Sequence, residues 1–451
     1  MLFFTKNILN KIIINTPKTF FMKKIFTLLT VASMATGAFA QTISPSNEEV
    51  QLVGEGMSHN TQYVVGTNYV TFAPAIWCVA TDKVIDFVEL EEAQFHGVSN
   101  AGVAVGSHTY AIKANLDGSV VELYADKGNL VEEEWGSYYD KEAGSDAWGI
   151  TPDGKFIVGD YFDNAYKTFP CVWTADNQRI DLPMPDFATF PFEIDGAGAR
   201  WISDDGKVIL GYVNDNFGTW PAVYWTMNED GSYTCHPLCT DYYGETPEAG
   251  KPYMFFTPTA LSGNGEWITL QVAPPYDIYN WEDPKVQCAR MNLKTMQIET
   301  FGDGSEVFDM AAIANNGTAV GYLDPGSMFG RIGTIWYPHK EPTIVNNVFP
   351  GNDYFDATLG GMGCNTPCFI TPDASCFGGF AMPNEDDPDI TSYIMDLPEP
   401  TAIPDVVADK KQNSDVKVKG TFDLNGRRLQ GDKSKLAPGI YVIDGKKEIV
   451  R

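Results

Sequence analysis

The 451-residue chain has only five histidines and 31 lysines and arginines, against 59 aspartates and glutamates. A net charge of −28 repels polyanions, so nucleic acid and anionic membrane surfaces are not expected as partners. No P-loop, GxSxG, HExxH, CxxCxxC or EF-hand pattern occurs, so the usual signatures of phosphate, acyl-transfer, zinc and calcium chemistry are missing. Past the first 40 residues no apolar run is long enough to span a bilayer. The eight cysteines follow no zinc-ligand spacing, since the pairs Cys235/Cys239 and Cys364/Cys368 come from distant parts of the chain. No metal or other cofactor is expected. The one tract that invites calcium, Asn384-Glu385-Asp386-Asp387-Pro388-Asp389, lacks a ligand spacing and reads as a solvated loop.

What is present begins with the leader. The first 40 residues carry five lysines and no acid. Met22-Lys23-Lys24 precedes an apolar run, Ile25 to Met34, and Ala38-Phe39-Ala40 suits cleavage before Gln41. This is the form of a secretory signal peptide over 1–40, with 1–21 reading as an extension from an early start codon. Export permits disulfides, and Cys235 with Cys239, or Cys364 with Cys368, sit close enough in sequence to close small rings. Cys78, Cys171 and Cys288 fall on predicted third strands, at places that read as equivalent, where a small buried apolar residue fits.

The architecture is carried by a phrase that recurs seven times. Its clearest copies are Trp148-Gly149-Ile150-Thr151-Pro152-Asp153-Gly154-Lys155-Phe156-Ile157-Val158-Gly159 and Trp201-Ile202-Ser203-Asp204-Asp205-Gly206-Lys207-Val208-Ile209-Leu210-Gly211. Looser copies run 58–66, 99–106, 262–270, 314–321 and 371–379. A period of roughly 40–60 residues built only of strands and turns marks a propeller. Within a copy, a first strand meets a return strand through an Asp-Gly or Asn-Gly turn that supplies positive φ. A third strand, commonly ending in Trp, and a fourth complete an antiparallel meander. The Gly that closes the second strand is expected to allow close approach between blades. The third-strand Trp is expected to fill the widening gap between them. The seventh copy has three strands and no fourth, while Val50-Gln51-Leu52-Val53 is a spare strand ahead of the first copy. Pairing that segment into the last blade would close the ring and remove an open edge. The fold expected is all-β: a seven-bladed β-propeller over 48–397, with four-stranded antiparallel blades closed by an N-terminal strand. A linker over 398–415 and a small β module over 416–451 follow.

The pattern Ser/Thr-x-Asp-Gly-x-x-Val/Ile-x-Gly followed by a Trp strand, over roughly 54–397, resembles the HAF-type extracellular repeat and, more distantly, TolB-like propellers. The resemblance implies a fold and carries no catalytic residue. The end of the chain has its own likeness. Asp423-Leu424-Asn425-Gly426-Arg427, then Leu436-Ala437-Pro438-Gly439-Ile440-Tyr441-Val442 and a basic ending resemble the C-terminal sorting domain of type IX secretion. Residues 409–451 hold 11 Lys/Arg and 6 Asp/Glu, against the acidity of the rest. That resemblance implies the outer-membrane secretion machinery as a partner, and an extracellular or outer-membrane surface location.

Chemistry is sparser. His59 reads as a turn residue and His96 as a first-strand residue, each structural. In a four-stranded meander the second-to-third connections and the connections between blades emerge on one face. Both classes are long here, and variable loops on a rigid scaffold form binding sites. They carry Trp135, Tyr138, Trp220, Tyr242, Tyr243, Tyr276, Asp277, Tyr279, Trp281 and Asp283 as candidate ligand contacts. Aromatic platforms beside carboxylates suit a glycan, whose apolar faces stack on rings, and equally suit a protein. The expectation is therefore a monomeric exported propeller that binds a glycan or protein without turnover. The alternative is a glycoside hydrolase or polysaccharide lyase with paired carboxylates at the central pocket. Two acids of raised pKa around the pore would favour the enzyme.

Overall fold

The computed structural model describes residues 51–398 apart from 91, 134–135, 166, 187–193, 216–219, 239–254, 274–284, 303, 325–329, 350–363 and 383–389, together with 44–45 and the strands of 421–450. Seven antiparallel sheets follow one another along the chain, each a meander in sequence order. Their inner strands are Leu52–Met57, Gln94–Val98, Gly144–Ile150, Ile194–Ile202, Phe255–Leu261, Val307–Ile313 and Cys364–Ile370. All seven line one central channel. The chain folds as a seven-bladed β-propeller.

The repeated polar residues are consumed by the turns. The hydroxyl of Thr151 accepts a hydrogen bond from the Phe156 amide at 3.1 Å, and Asp153 accepts one from the Lys155 amide at 3.1 Å. Ser203 with Val208, Ser262 with Trp267 and Thr371 with Cys376 repeat the first of these at 2.9 Å. The third residue of the turn takes positive φ, 73° at Gly154 and Gly206 and 85° at Gly317; the copies without Gly hold Thr61 and Ala374 there at 58° and 60°.

Tryptophan fills the wedge between blades, as its recurrence suggested. Trp77, Trp173, Trp225 and Trp336 are all buried, and Trp173 packs on Val105 and Leu123 of the preceding blade. Each pairs across the sheet with a small or branched residue: Val64, Ile157, Ile209 and Ala319. The same slot is Ala114, Met291 and Met395 in the second, fifth and seventh blades.

The second-strand glycines have a different reason from the expected one. A Cβ on Gly66, Gly106 or Gly159 would lie 1.8–1.9 Å from the carbonyl oxygen of Val53, Gln94 or Asp146. The crowding comes from the inner strand of the same blade, not from the neighbouring blade. Its source is a β-bulge. Every inner strand shifts register at a matching place, between Gly54/Gly56, Phe95/Gly97, Ala147/Gly149, Ala199/Trp201, Pro258/Ala260, Asp309/Ala312 and Pro367/Phe369, and the fourth shifts a second time between Ile194 and Gly196. A bulge kinks its strand and disrupts the ladder beside it, and only a residue without Cβ fits against the carbonyl there.

Ring closure also corrects the sequence reading. Leu52 and Val53 do not add a fourth strand to the last blade; they open the first blade's inner strand, paired with Asn68 and Thr67. Among the described residues the seventh sheet has three strands. The N-terminal strand nevertheless meets that blade: the Ser392 hydroxyl donates to the Leu52 carbonyl at 2.8 Å, and Leu52 packs with Phe369 and Ile394. The physical reason is burial. Leu52 is wholly enclosed between two sheets, which an edge position on an outermost strand would not give.

The cysteines need correction too. Cys364 and Cys368 are both free thiols. Four residues of extended strand separate their Cα atoms by about 13 Å, beyond disulfide reach. Cys235 is free as well, and Cys239 lies outside the described residues. Cys78, Cys171 and Cys288 are not equivalent, for they pair with Tyr63, Gly159 and Gln271, three different registers. The C-terminal strands Thr421–Phe422, Arg428–Leu429, Gly439–Ile443 and Lys446–Val450 form a small antiparallel sheet of their own.

Candidate functional site

The bulge places one residue per blade out of register: Glu55, His96, Trp148, Arg200, Thr259, Ala311 and Cys368. All but Thr259 line the channel, and the fifth blade presents Ala260 there while Thr259 borders a second cavity. Four of them form a continuous row. Glu55 Oε2 meets His96 Nδ1 at 3.1 Å. The imidazole stacks on Trp148 with centroids 4.3 Å apart, and the Arg200 guanidinium lies 4.1 Å from the Trp148 ring and 5.0 Å from that of Tyr212. The remaining three side chains are small. Thr259 donates to the Met310 carbonyl at 2.8 Å, and the Cys368 thiol to the Thr366 carbonyl at 3.3 Å. Burial pushes the half-buried Cys368 thiol well up, which disfavours the nucleophilic thiolate.

Two carboxyls on the third and sixth blades are unusual. Asp160 is 1 % exposed and faces Asp146 across the strand pair. Burial, then the Asp146 charge, raises it well above the carboxylate range against the pull of Arg200. Its Oδ2 finds no hydrogen-bond partner. Gly198 makes room for it, since a Cβ there would come within 2.8 Å of both Asp160 Oδ2 and the Tyr212 hydroxyl. Asp309 is also raised by burial, although the Tyr322 hydroxyl donates to its Oδ2 at 3.1 Å and Arg331 opposes the shift. Its Oδ1 has no partner.

At the long-loop end, between the fourth, fifth and sixth blades, a cavity of about 290 Å³ is bordered by Arg200, Trp201, Tyr212, Trp220, Gln271 and Asp309, among others. Trp220 is 48 % exposed, is tilted against Tyr212 at 5.9 Å, and is held at φ 47°. A large aromatic in the left-handed region is strained, and such strain collects at ligand sites. At the opposite mouth His59 Nδ1 reaches Asp204 Oδ1 at 3.3 Å, tying the first blade's turn to the fourth's.

Of the aromatic and acidic residues singled out in the sequence, Trp220 comes to this cavity. Tyr138 lies elsewhere, half-buried on a hairpin of Leu130–Glu133 and Gly136–Tyr139. Trp135, Tyr242, Tyr243, Tyr276, Asp277, Tyr279, Trp281 and Asp283 lie outside the described residues, as does the tract 384–389. Among the described residues no group of three or more His, Cys, Asp or Glu side chains is placed to hold a metal ion. Sequence reading missed the bulge row, although its two clearest copies both open on a Trp, Trp148 and Trp201. Register shows that Trp148 matches Arg200, and Trp201 matches Gly149. The available signal was a position three residues before each turn Ser or Thr at which no residue type recurs.

No family model matches the chain, and no curated protein matches it. Among solved structures it is similar to an oligogalacturonate lyase in complex with manganese, at 12% identity and a TM-score of 0.47 over 81% of this chain and 95% of that one. It is similar also to hydrazine synthase of Kuenenia stuttgartiensis, at 11% and 0.45 over 80% and 97%. TolB of Acinetobacter baumannii is more distant, at 14% and 0.32 over 64% and 52%. At such identities and scores nothing of their chemistry passes to this chain.

Proposed function

We propose that the chain is a binding module whose ligand, a glycan, seats at the long-loop end between the fourth and sixth blades. The observation that carries this is the cavity in which exposed Trp220 and Tyr212 stand beside Gln271, Asp309 and Arg200. Rings supply a face for an apolar sugar surface, and the amide, carboxyl and guanidinium supply hydroxyl partners. Weighing against turnover is the position of the two raised carboxyls. Asp309 borders the cavity, but Asp160 is sealed behind it, so the two do not flank a common substrate. A polysaccharide array probed with the protein and with Trp220→Ala, with release of sugar product followed in parallel, tests the reading. Binding that Trp220→Ala weakens, without product, supports it; product formation, or binding indifferent to Trp220, overturns it.

We propose further that the chain is a HAF-type repeat protein that acts as a monomer. It is exported by its leader and passed to the outer-membrane type IX machinery by residues 416–451. Supporting this are the Lys-rich apolar leader and the ordered motifs from Asp423 to Val442. Deleting 416–451 in a host with that pathway is expected to trap the protein in the periplasm; unchanged surface delivery overturns the assignment.

A further inference from the structure

The channel itself is a second cavity, of about 230 Å³, and its wall is chemically directional. The same bulge occurs in all seven blades, yet its side chains are Glu55, His96, Trp148, Arg200, Thr259, Ala311 and Cys368, with no residue type used twice. Three residues later, six of the seven copies keep Ser or Thr (Ser58, Ser99, Thr151, Ser203, Ser262 and Thr371). Backbone need explains the recurring residue and leaves the varied one unexplained. The varied residues are also ordered. An anion at Glu55 and a cation at Arg200 end a row whose middle is the His96–Trp148 stack. The fifth, sixth and seventh blades present uncharged residues to the channel, Ala260, Ala311 and Cys368 among them. Arg200 makes no salt bridge among the described residues: it bonds the neutral Tyr212 hydroxyl, the Asp160 carboxyl it acts on is held toward its protonated form by burial, and its Nε is buried without a partner. This happens in a chain where acids outnumber bases by 59 to 31, so a cation without a carboxylate salt bridge inside the ring is not explained by a shortage of acids.

We infer that the channel is a receptor for a short zwitterion, a peptide of two or three residues, with its carboxylate on Arg200 and its ammonium on Glu55. Planar guanidinium suits a carboxylate, and Glu55, whose side chain is 37% exposed, offers an acceptor to an ammonium. The volume lies below the roughly 300–1,000 Å³ of drug-sized ligand sites, which suits a peptide of this length. The small-residue wall leaves space for the peptide's own side chains. The inference does not rest on the glycan reading, although Arg200 and Trp201 border both cavities.

The test is calorimetric titration of the purified chain with triglycine, trialanine, N-acetyl-triglycine and triglycine amide. Free triglycine or trialanine is expected to bind, and each blocked form to bind about tenfold more weakly, as expected for one lost charged hydrogen bond. Glu55→Gln is expected to lose discrimination against the acetylated peptide alone, and Arg200→Gln against the amide alone. Arg200→Lys keeps the cation and is expected to recover the second preference, which separates loss of charge from misfolding. Trp220→Ala is expected to leave all of these affinities unchanged. Absence of binding by both free peptides, equal binding of blocked and free forms, or equal competition by glucuronate overturns the inference.

Discussion

Replacing Gly159 by Ala sets two effects of opposite sign against each other. In an open strand the change is favourable by about 0.5–1 kcal/mol, because Gly loses more conformational freedom on folding than Ala. Here the new Cβ would lie 1.9 Å from the Asp146 carbonyl oxygen and 2.8 Å from the Trp173 ring. Ordinary C···O contacts fall near 3.3–3.6 Å, so the two strands must part by over about 1 Å at a point where both partners are backbone. Overpacking of this kind costs about 1–3 kcal/mol, occasionally more. The upper end applies because neither the carbonyl nor the fully buried Trp173 can swing away. The net expectation is a loss of about 2–3 kcal/mol. Urea unfolding followed by tryptophan fluorescence reads it as a lower midpoint at unchanged slope. Gly118→Ala is the control: its φ is 86° but nothing lies within 4 Å of the added Cβ, so only backbone strain of about 1–2 kcal/mol remains. An unchanged or raised midpoint for Gly159→Ala would refute the bulge geometry.

Three further outcomes are expected. Asp160 has a folded pKa above its unfolded one, so its contribution is intact below the unfolded value of about 3.9 and is lost as pH rises toward the folded value. Asp160→Asn should therefore match the parent in stability near that pH and exceed it at neutrality; thermal melts across pH check this. Lys127 Nζ lies 3.8, 4.4 and 5.4 Å from the ring centroids of Tyr110, Tyr124 and Tyr139, and 2.6 Å from Glu122. Lys127→Met should release the 130–139 hairpin at a cost of about 1–2 kcal/mol, seen as faster amide exchange confined to that hairpin. Alkylation of the unreduced, denatured chain should modify both Cys364 and Cys368; a peptide carrying a bridge between them would contradict the free thiols.

Most of the architecture is legible in the sequence because it is repetitive. The turn Ser/Thr, the positive-φ residue and the third-strand Trp recur at fixed offsets for reasons that act within a few residues. Two features escape that logic. Leu52 and Val53 look like a spare strand because the bulge at Glu55 lengthens the inner strand beyond its repeated part, and hydrophobic pattern cannot tell a long first strand from a separate one. The channel row escapes because a search for repeats finds what is constant, whereas Glu55, His96, Trp148 and Arg200 share only a backbone position. His96 therefore reads as structural from sequence, and its contacts with Glu55 and Trp148 appear only when blades are set side by side. Trp220 was legible from its place in a long second-to-third connection, but the partners Tyr212, Gln271 and Asp309 stand on strands and carry no loop signal.

Accessibility of inner-strand thiols tests the central claim, that the bulged side chains of six blades face a common channel. Single substitutions Ala199→Cys, Arg200→Cys, Met310→Cys and Ala311→Cys would be exposed to a small charged methanethiosulfonate, and modification read site by site by mass spectrometry. The account expects rapid labelling at 200 and 311, which line the channel, and protection at 199 and 310, where the native residues are both 0% exposed. Labelling at 199 and 310 with protection at 200 and 311 would contradict it.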